Sequence, residues 1–248
     1  MNKNIFNVKV ALIATLTSLS LGCKTFNKNN AKADDLKAID LIVSYPVTLA
    51  NNGEISFFNL KDTISIIFHD DLILYKLLAR RKEESEKKIS GSESYFIYKK
   101  NSGDGYLFNN LSDGSKGTKM SVDSFLNQRA FANATFDTSS LKLVEKKDSN
   151  KIVIEKYIPL TSDENTFDSI YYYYSPHFKN IHYSFSRNLD SIKGMKLYEV
   201  RILYEGKFSN KYNLPLPKRE FLFKIEELQV SNFQEILHFF DTKRKFLN

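Results

Sequence analysis

The stretch LYEVRILY (residues 197–204) carries the pattern that decides the fold. Its aromatic and branched aliphatic side chains recur at every second position, with Glu199 and Arg201 between them. Because successive side chains of a strand point to opposite faces of a sheet, this alternation predicts a strand with one buried face and one wet face. The stretch REFLFKIEE (residues 219–227) repeats the pattern, and the loop 205–218 with its two prolines predicts that the two strands pair.

The same period of two recurs along most of the chain. Asp70 and Asp71 separate two apolar runs and predict a tight hairpin, although a helix through 72–79 competes with the second run. Pro46 interrupts the first run, which is typical of an edge strand or of a first strand. The remaining predicted strands are 40–49, 55–58, 63–69, 72–78, 94–99, 106–108, 151–158, 166–174 and 181–187.

In two segments the apolar residues instead have the spacing of a helix. Residues 121–130 begin with Ser121, a residue type that caps helices, and continue with apolar side chains three and four positions apart. Ser231 and Gln234 resemble a capping box in front of the apolar run that ends at Phe240. The sequence therefore predicts one short internal helix and one C-terminal helix.

Strands roughly 8–15 residues apart, with turn signals between them and few helices, predict a mainly β domain of the α+β type. We expect an antiparallel sheet, strongly curved or partly closed into a barrel, with one or two helices. The 20 Phe and 14 Tyr residues can fill its core, and residues 38–248 suffice for a single domain. This half-open barrel is similar to that of the lipid-carrier proteins of the bacterial envelope. The similarity is one of fold alone, because no sequence motif carries it.

The first 22 residues have the parts of a secretion signal. Lys3 and Lys9 supply a basic tip, and the apolar run 10–22 is too short to span a bilayer as a helix. Cys23, the only cysteine of the chain, follows directly. A single thiol at the expected cleavage site predicts that this residue is modified.

Leu19-Ser20-Leu21-Gly22-Cys23 resembles the lipobox of bacterial lipoproteins, with Ser20 where leucine is usual. The resemblance implies that residues 1–22 are a lipoprotein signal peptide and that Cys23 becomes the lipidated first residue. The polar stretch 23–37 then predicts a flexible tether. Lys24 follows the cysteine, where some lipoproteins carry a retention or export signal made of acids. By this resemblance we expect an outer-membrane lipoprotein that faces the periplasm.

The composition of the chain further limits the classes of partner that we expect it to bind. The formal charge falls from +7 to +5 without residues 1–22, because Lys3 and Lys9 leave with them and no acid does. Basic and acidic residues are interspersed along the rest of the chain, so no nucleic-acid partner is expected. Glycine-rich phosphate loops and paired cysteine–histidine motifs are absent from the sequence, and we expect neither a cofactor nor a metal.

Four consecutive tyrosines form the most unusual run of the chain. On a strand, Tyr171 and Tyr173 point one way, and Tyr172 and Tyr174 point the other way. One pair can enter the core while the other pair remains at a surface, where tyrosine suits contacts with a protein, a glycan or an apolar ligand. The run is therefore our candidate ligand face, and a cross-strand aromatic ladder is the alternative interpretation.

A weaker set of residues has catalytic potential. His69 beside Asp70 could act in acid–base chemistry, and Ser175 near His177 pairs a hydroxyl with an imidazole. A nucleophilic serine needs contact with its base, and no nucleophile-elbow motif surrounds Ser175. We therefore expect a lipid-anchored cell-envelope protein that acts as a non-enzymatic binding or scaffold module. The alternatives are an anchored hydrolase and a carrier of an apolar ligand in a barrel cavity.

Overall fold

The predicted signal peptide, Cys23 and most of the predicted tether lie outside the residues that the structure, a computed structural model, describes. None of the helices in the described part of the chain has the length and apolar character that a membrane span requires. The described residues are 36–51, 54–82, 89–112, 114, 116–127, 135–149, 151–161, 166–209 and 214–247.

Strands dominate this part of the chain, and three helices accompany them. The strands are β1 (Leu36–Asn51), β2 (Glu54–His69), β3 (Leu72–Lys82), β4 (Ile89–Lys99), β5 (Asp104–Phe108), β6 (Thr118–Ser121), β7 (Leu141–Ser149), β8 (Ile152–Pro159), β9 (Ser169–Ser175), β10 (Lys196–Tyr204), β11 (Lys207–Ser209), β12 (Leu214–Leu216) and β13 (Arg219–Glu227). The helices are α1 (Val122–Asn127), α2 (Arg187–Lys193) and α3 (Phe233–Arg244).

Eleven of the strands form one antiparallel sheet in the order β6-β5-β4-β3-β2-β1-β13-β10-β9-β8-β7. Two meanders, β1–β6 and β7–β10, are joined because β13 pairs with β1 on one side and with β10 on the other. The sheet is open, with β6 and β7 at its two edges. The prediction of a mainly antiparallel β fold is therefore confirmed, as is the predicted pairing of residues 197–204 with residues 219–227.

One face of the sheet, called here the inner face, carries the larger hydrophobic cluster. Ile39 and Leu41 of β1, Phe96 of β4, and Tyr172 and Tyr174 of β9 are all almost fully buried in this cluster. β4 and β9 lie on opposite sides of the central pair β1–β13, so a single cluster that includes both fits the predicted curvature. The helices α1 and α2 also contribute side chains to this cluster.

The opposite face, called the outer face, is covered by α3 near β1–β5. Phe239 and Phe240 of α3 are buried there against residues such as Leu74, and Phe239 meets Phe108 edge to face with ring centroids 5.2 Å apart. The predicted C-terminal helix is thus confirmed, but the predicted capping box is not. The N-cap is Asn232, whose side chain makes no capping hydrogen bond to the backbone.

One further sequence expectation differs from the structure. Residues 181–187 alternate like a strand but form a loop that enters α2, because the hydroxyl of Ser186 caps that helix by accepting from the amide of Leu189. β1 is the first of the described strands, which is one of the two alternatives that Pro46 predicts, and it lies in the middle of the sheet. Pro46 is tolerated because it lies beyond Ser44, the last residue of β1 that pairs with β13.

The two buried tyrosines of β9 give a matched test of the core. The hydroxyl of Tyr172 donates to the carbonyl of Asp137 over 2.6 Å, whereas that of Tyr174 is buried without a partner among the described residues. We expect Tyr172→Phe to destabilise the protein by about 1 kcal/mol, since it removes a hydrogen bond. Tyr174→Phe should be neutral or stabilising by about 1 kcal/mol, since it removes an uncompensated polar group. Urea unfolding followed by circular dichroism measures both, and an equal loss in the two variants would contradict the assignment.

Candidate functional site

A cavity of about 680 Å³ opens on the inner face. Its floor is formed by β2, β3 and β4, and its walls by α1, by the segment 135–137 and by the segment 182–188. Side chains on the floor are mostly apolar or aromatic, whereas several of those on the walls are polar and exposed. The cavity is therefore amphipathic, with an apolar base and a polar rim.

The pairing register of β2, β3 and β4 places the side chains of the cavity floor in one row. Phe68 of β2 pairs with Ile73 of β3, which pairs in turn with Tyr98 of β4. Residues directly opposite one another in antiparallel strands have side chains on the same face, so these three form one row across the sheet. Lys37 of β1 pairs with Phe68 and continues the row toward the centre of the sheet.

The wall made by α1 depends on an aromatic stack. Phe125 lies on Phe96 with ring centroids 3.7 Å apart and an angle of 18° between the rings. On β5, Gly105 has no room for a side chain, because a Cβ there would lie 2.5 Å from the ring of Phe96. Phe96 is therefore held between Gly105 and α1, and this contact sets Val122 and Leu126 at the cavity wall.

A buried ion pair holds the opposite wall. Asp190 of α2 lies 2.9 Å from the ammonium group of Lys196 of β10, and their side chains are only 15% and 8% exposed. The same carboxylate accepts hydrogen bonds from the hydroxyl of Ser184 over 2.6 Å and from the amide of Leu197 over 2.7 Å. Lys196 also donates to the carbonyl of Tyr183 over 3.0 Å. Both charges are thus well satisfied, and the cavity wall is tied to β10.

A second ion pair of opposite polarity joins α2 to β8. Glu155 is almost completely buried, with a side chain that is 1% exposed, and it lies 2.5 Å from the ammonium group of Lys193. The hydroxyl of Tyr157 donates to the same carboxylate over 2.7 Å. We call the two pairs, Asp190–Lys196 and Lys193–Glu155, the α2 clamp.

Basic groups lie at one part of the rim. The ammonium group of Lys100 lies 3.2 Å from Nδ1 of His182, whose ring packs against Phe68 with centroids 6.0 Å apart. Desolvation lowers the pKa of His182, and the positive charges of Lys100 and Lys37 lower it further. The imidazole is therefore neutral at pH 7, and its Nδ1 accepts from the lysine.

The tyrosines that line the cavity keep their protons. The rings of Tyr75 and Tyr98 stack with centroids 6.1 Å apart. Burial raises the pKa of Tyr75 well above its ordinary value and also raises the pKa values of Tyr98 and Tyr183. These hydroxyls are therefore neutral groups at pH 7, suited to hydrogen bonding and not to nucleophilic attack.

The four tyrosines divide between the two faces of the sheet. Tyr172 and Tyr174 are in the inner core, whereas Tyr171 and Tyr173 are half-buried on the outer face. Lys156 lies 5.3 Å from the ring centroid of Tyr171, and the guanidinium group of Arg201 lies 5.5 Å from that of Tyr173. The outer pair is not part of the cavity and forms a separate surface with these cations.

His69 and Asp70 lie at the turn between β2 and β3. Their side chains are 3.9 Å apart, and the ring of His69 packs against Phe240 of α3, on the outer face. Asp70 instead binds the guanidinium group of Arg244 over 2.7 Å, and this hydrogen bond lowers the pKa of the carboxyl group. The carboxylate therefore serves the contact between this turn and α3.

Ser175 and His177 are brought close by the end of β9, but not as a nucleophile and its base. The backbone amide of His177 donates to the hydroxyl of Ser175 over 3.2 Å. The imidazole of His177 instead contacts Glu227 over 2.7 Å. Within the described ranges, no three His, Cys, Asp or Glu side chains lie together as metal ligands would.

Sequence reasoning did not identify the cavity residues. Lys100 lies just beyond the predicted strand 94–99, and His182 lies within the predicted strand 181–187, with no site assigned to either residue. The one available signal was the recurrence of aromatic side chains on the strands of the floor. No protein-family model matches this chain, and no curated protein matches its sequence.

The α2 clamp predicts that a single conservative substitution at Asp190 will lower the stability of the protein strongly. Asp190→Asn keeps the shape of the side chain but leaves Lys196 buried without a counter-charge, so we expect a loss of about 3 kcal/mol in the free energy of unfolding. The matched control is Asp148→Asn, whose partner Lys146 lies 3.6 Å away in an exposed ion pair. That control should leave the urea midpoint unchanged. Equal midpoints for the two variants would show that the clamp does not stabilise the fold.

Proposed function

We propose that this chain is a lipid-anchored cell-envelope protein whose β domain binds an apolar or amphipathic ligand without catalysing a reaction. The observation that carries the proposal is the cavity, with its aromatic floor and polar rim. Its volume of about 680 Å³ lies within the range of roughly 300–1,000 Å³ typical of small-molecule sites. A scaffold that only joins other components would have no need of such a cavity.

The serine side chains at the cavity favour binding over hydrolysis. The hydroxyl of Ser184 donates to Asp190, that of Ser186 accepts from Leu189, and that of Ser102 donates to the carbonyl of Asp104. Each hydroxyl is thus engaged in shaping the loop on which it lies. Only Ser184 of the three contacts a possible base, and the carboxylate of Asp190 is already paired with Lys196 and accepts from the amide of Leu197, so it is held as a structural anion and not as a free general base.

The anchor is proposed from the sequence alone. The lipobox-like Leu19–Cys23 stretch supports lipidation of Cys23, and Lys24 after it supports an outer-membrane protein that faces the periplasm. Two or more acyl chains give stable membrane attachment, whereas one chain is marginal. The membrane is then the first partner of the protein, and the cavity ligand is the second.

A separate contact with an envelope protein or a glycan is the second candidate function. Tyr171 and Tyr173 favour it, because they are half-exposed on the outer face and flanked by Lys156 and Arg201. Aromatic rings beside cations are common at the centres of binding surfaces. Loss of a partner on Tyr171→Ala and Tyr173→Ala, with the cavity still able to bind, would separate this role from the first.

Filling the cavity tests the binding proposal. Leu126→Trp places a larger side chain at the wall, and we expect it to weaken binding of the apolar fluorophore N-phenyl-1-naphthylamine at least about fivefold, because it occupies the ligand volume. The protein is the full chain carrying Cys23→Ser, so that it is not lipidated and needs no detergent. Ile192→Trp is the matched control, since Ile192 is exposed on α2.

Both variants retain residues 1–22, so any binding of the probe to that apolar run cancels in the comparison. Circular dichroism and thermal melts check that Leu126→Trp remains folded, and Val122→Phe provides a second way to fill the same wall. Undiminished probe binding in both filled variants, or its absence in the unfilled chain, would contradict a ligand cavity.

Lipidation has its own test. In a bacterial host grown with an alkyne-labelled fatty acid, the chain should incorporate the label and lose residues 1–22, because Cys23 is the expected attachment site. Cys23→Ala should abolish the labelling, whereas Ser20→Leu, which restores the usual lipobox residue, should preserve or increase it. An unlabelled protein with its first 22 residues still attached, shown by mass spectrometry, would refute the proposed anchor.

A further inference from the structure

We propose that the cavity selects a single-chain amphiphile with an anionic head, a carboxylate or a phosphate, which binds at Lys37, Lys100 and His182. This inference rests on the proposed function, because it assigns a ligand class to the same cavity. The alkyl chain of the ligand lies along the floor row Phe68–Ile73–Tyr98, toward Leu126 on α1.

Register and distance bring the three head-binding groups to the same part of the rim. Lys37 is opposite Phe68 in the β1–β2 pair, so it shares the inner face with the floor row. Lys100 lines the cavity and lies 3.2 Å from His182, which in turn packs against Phe68. His182, the ammonium group of Lys100 and Lys37 therefore all lie near Phe68, at the β1 end of the row, and the charges of both lysines act on His182.

The protonation state of His182 is suited to binding an anion. A neutral imidazole that accepts at Nδ1 carries its proton at Nε2, where it is a hydrogen-bond donor. Lys100 uses one of its three ammonium hydrogens on His182 and keeps others for a ligand. Carboxylate and phosphate oxygens, which only accept when ionised, match such a set of donors.

The other charged groups near this proposed head-binding site are already bonded to other residues or lie on other elements of the fold. Lys196 is paired with Asp190 in the α2 clamp. Asp137 accepts from the amide and the hydroxyl of Ser139, which ties its carboxylate to its own turn. Asp123 lies on α1, and Arg187 begins α2 on the opposite wall. The acids of the rim therefore do not share an element with Lys37, Lys100 or His182.

The size of the cavity favours one chain over two. A volume of about 680 Å³ is that of a site for a single drug-sized molecule. We therefore assign fatty-acid-like or alkyl-phosphate ligands to the site and treat diacyl lipids as an outcome of the test.

The test compares two probes that differ in charge and by a single methyl group. Dansyl-aminoundecanoic acid and its methyl ester are titrated into the full chain carrying Cys23→Ser, and the fluorescence of the dansyl group reports binding. We expect Lys100→Met and Lys37→Met each to weaken binding of the acid about three- to tenfold and to leave the ester unchanged. Raising the salt concentration should weaken binding of the acid alone. Lys142→Met, an exposed lysine on the edge strand β7, is the matched control.

Displacement of the bound acid probe then shows which anionic headgroup the site prefers. Dodecanoate or dodecyl phosphate should displace it at concentrations at least about threefold lower than dodecanol, which lacks the charge, and whichever anion is stronger identifies the source of the negative charge. Equal binding of acid and ester, unaffected by either lysine change, would overturn the anionic site while the ligand cavity stands. Displacement only by phosphatidylglycerol vesicles would overturn the single-chain assignment. Binding of neither probe would refute the proposed function itself.

Discussion

The fold around the cavity depends on two ion pairs that run in opposite directions between α2 and the sheet. Asp190 of the helix meets Lys196 of β10, and Lys193 of the helix meets Glu155 of β8. Removing such charges from water costs several kcal/mol for each ion, and only a partner in the correct place offsets that cost. A helix shifted by one residue would separate both pairs at once. The α2 clamp therefore specifies one position for a helix of only seven residues, which could not be stable by itself.

The two faces of the sheet are covered in different ways, and this difference leaves a cavity on only one of them. On the outer face, α3 lies over β1–β5 and fills the space with Phe239 and Phe240. On the inner face, α1 is held at one side by the Phe96–Phe125 stack and α2 is held at the other side by its clamp. Neither short helix extends across the floor between them. These two attachments hold the helices at the sides of the floor, which stays open between them.

Strands were predictable from sequence where one face is buried, because burial itself produces the period of two. The run 219–227 coincides with β13, and Asp70, with a φ of 53°, makes the turn expected between β2 and β3. The same reasoning fails for β7, whose side chains from 142 onward are all exposed, so that no alternation marks it. It also fails at 181–187, where Tyr183 and Phe185 are buried although they lie in a loop, which the α2 clamp holds in place.

The cavity could not be predicted, because Lys37, Phe68, Lys100 and His182 meet only through strand order and register. The prediction of lipidation at Cys23 depends on the local sequence alone and stays a prediction.

Anchoring and a rim with basic groups complement each other physically. Under the proposed attachment through Cys23, the short segment between Cys23 and β1 would hold the domain near the bilayer surface. Amphiphiles reach a high local concentration at that surface, so a site there can work with modest affinity and release its ligand quickly. A rim of lysines and a neutral histidine suits such exchange, because an anionic head can remain partly hydrated while its chain enters the aromatic floor. A tightly sealed core would bind the chain more strongly but would require the sheet or its helices to open. Under the proposed function, the α2 clamp, which ties this wall to β8 and β10, favours entry of the ligand along the polar rim over any opening of the fold.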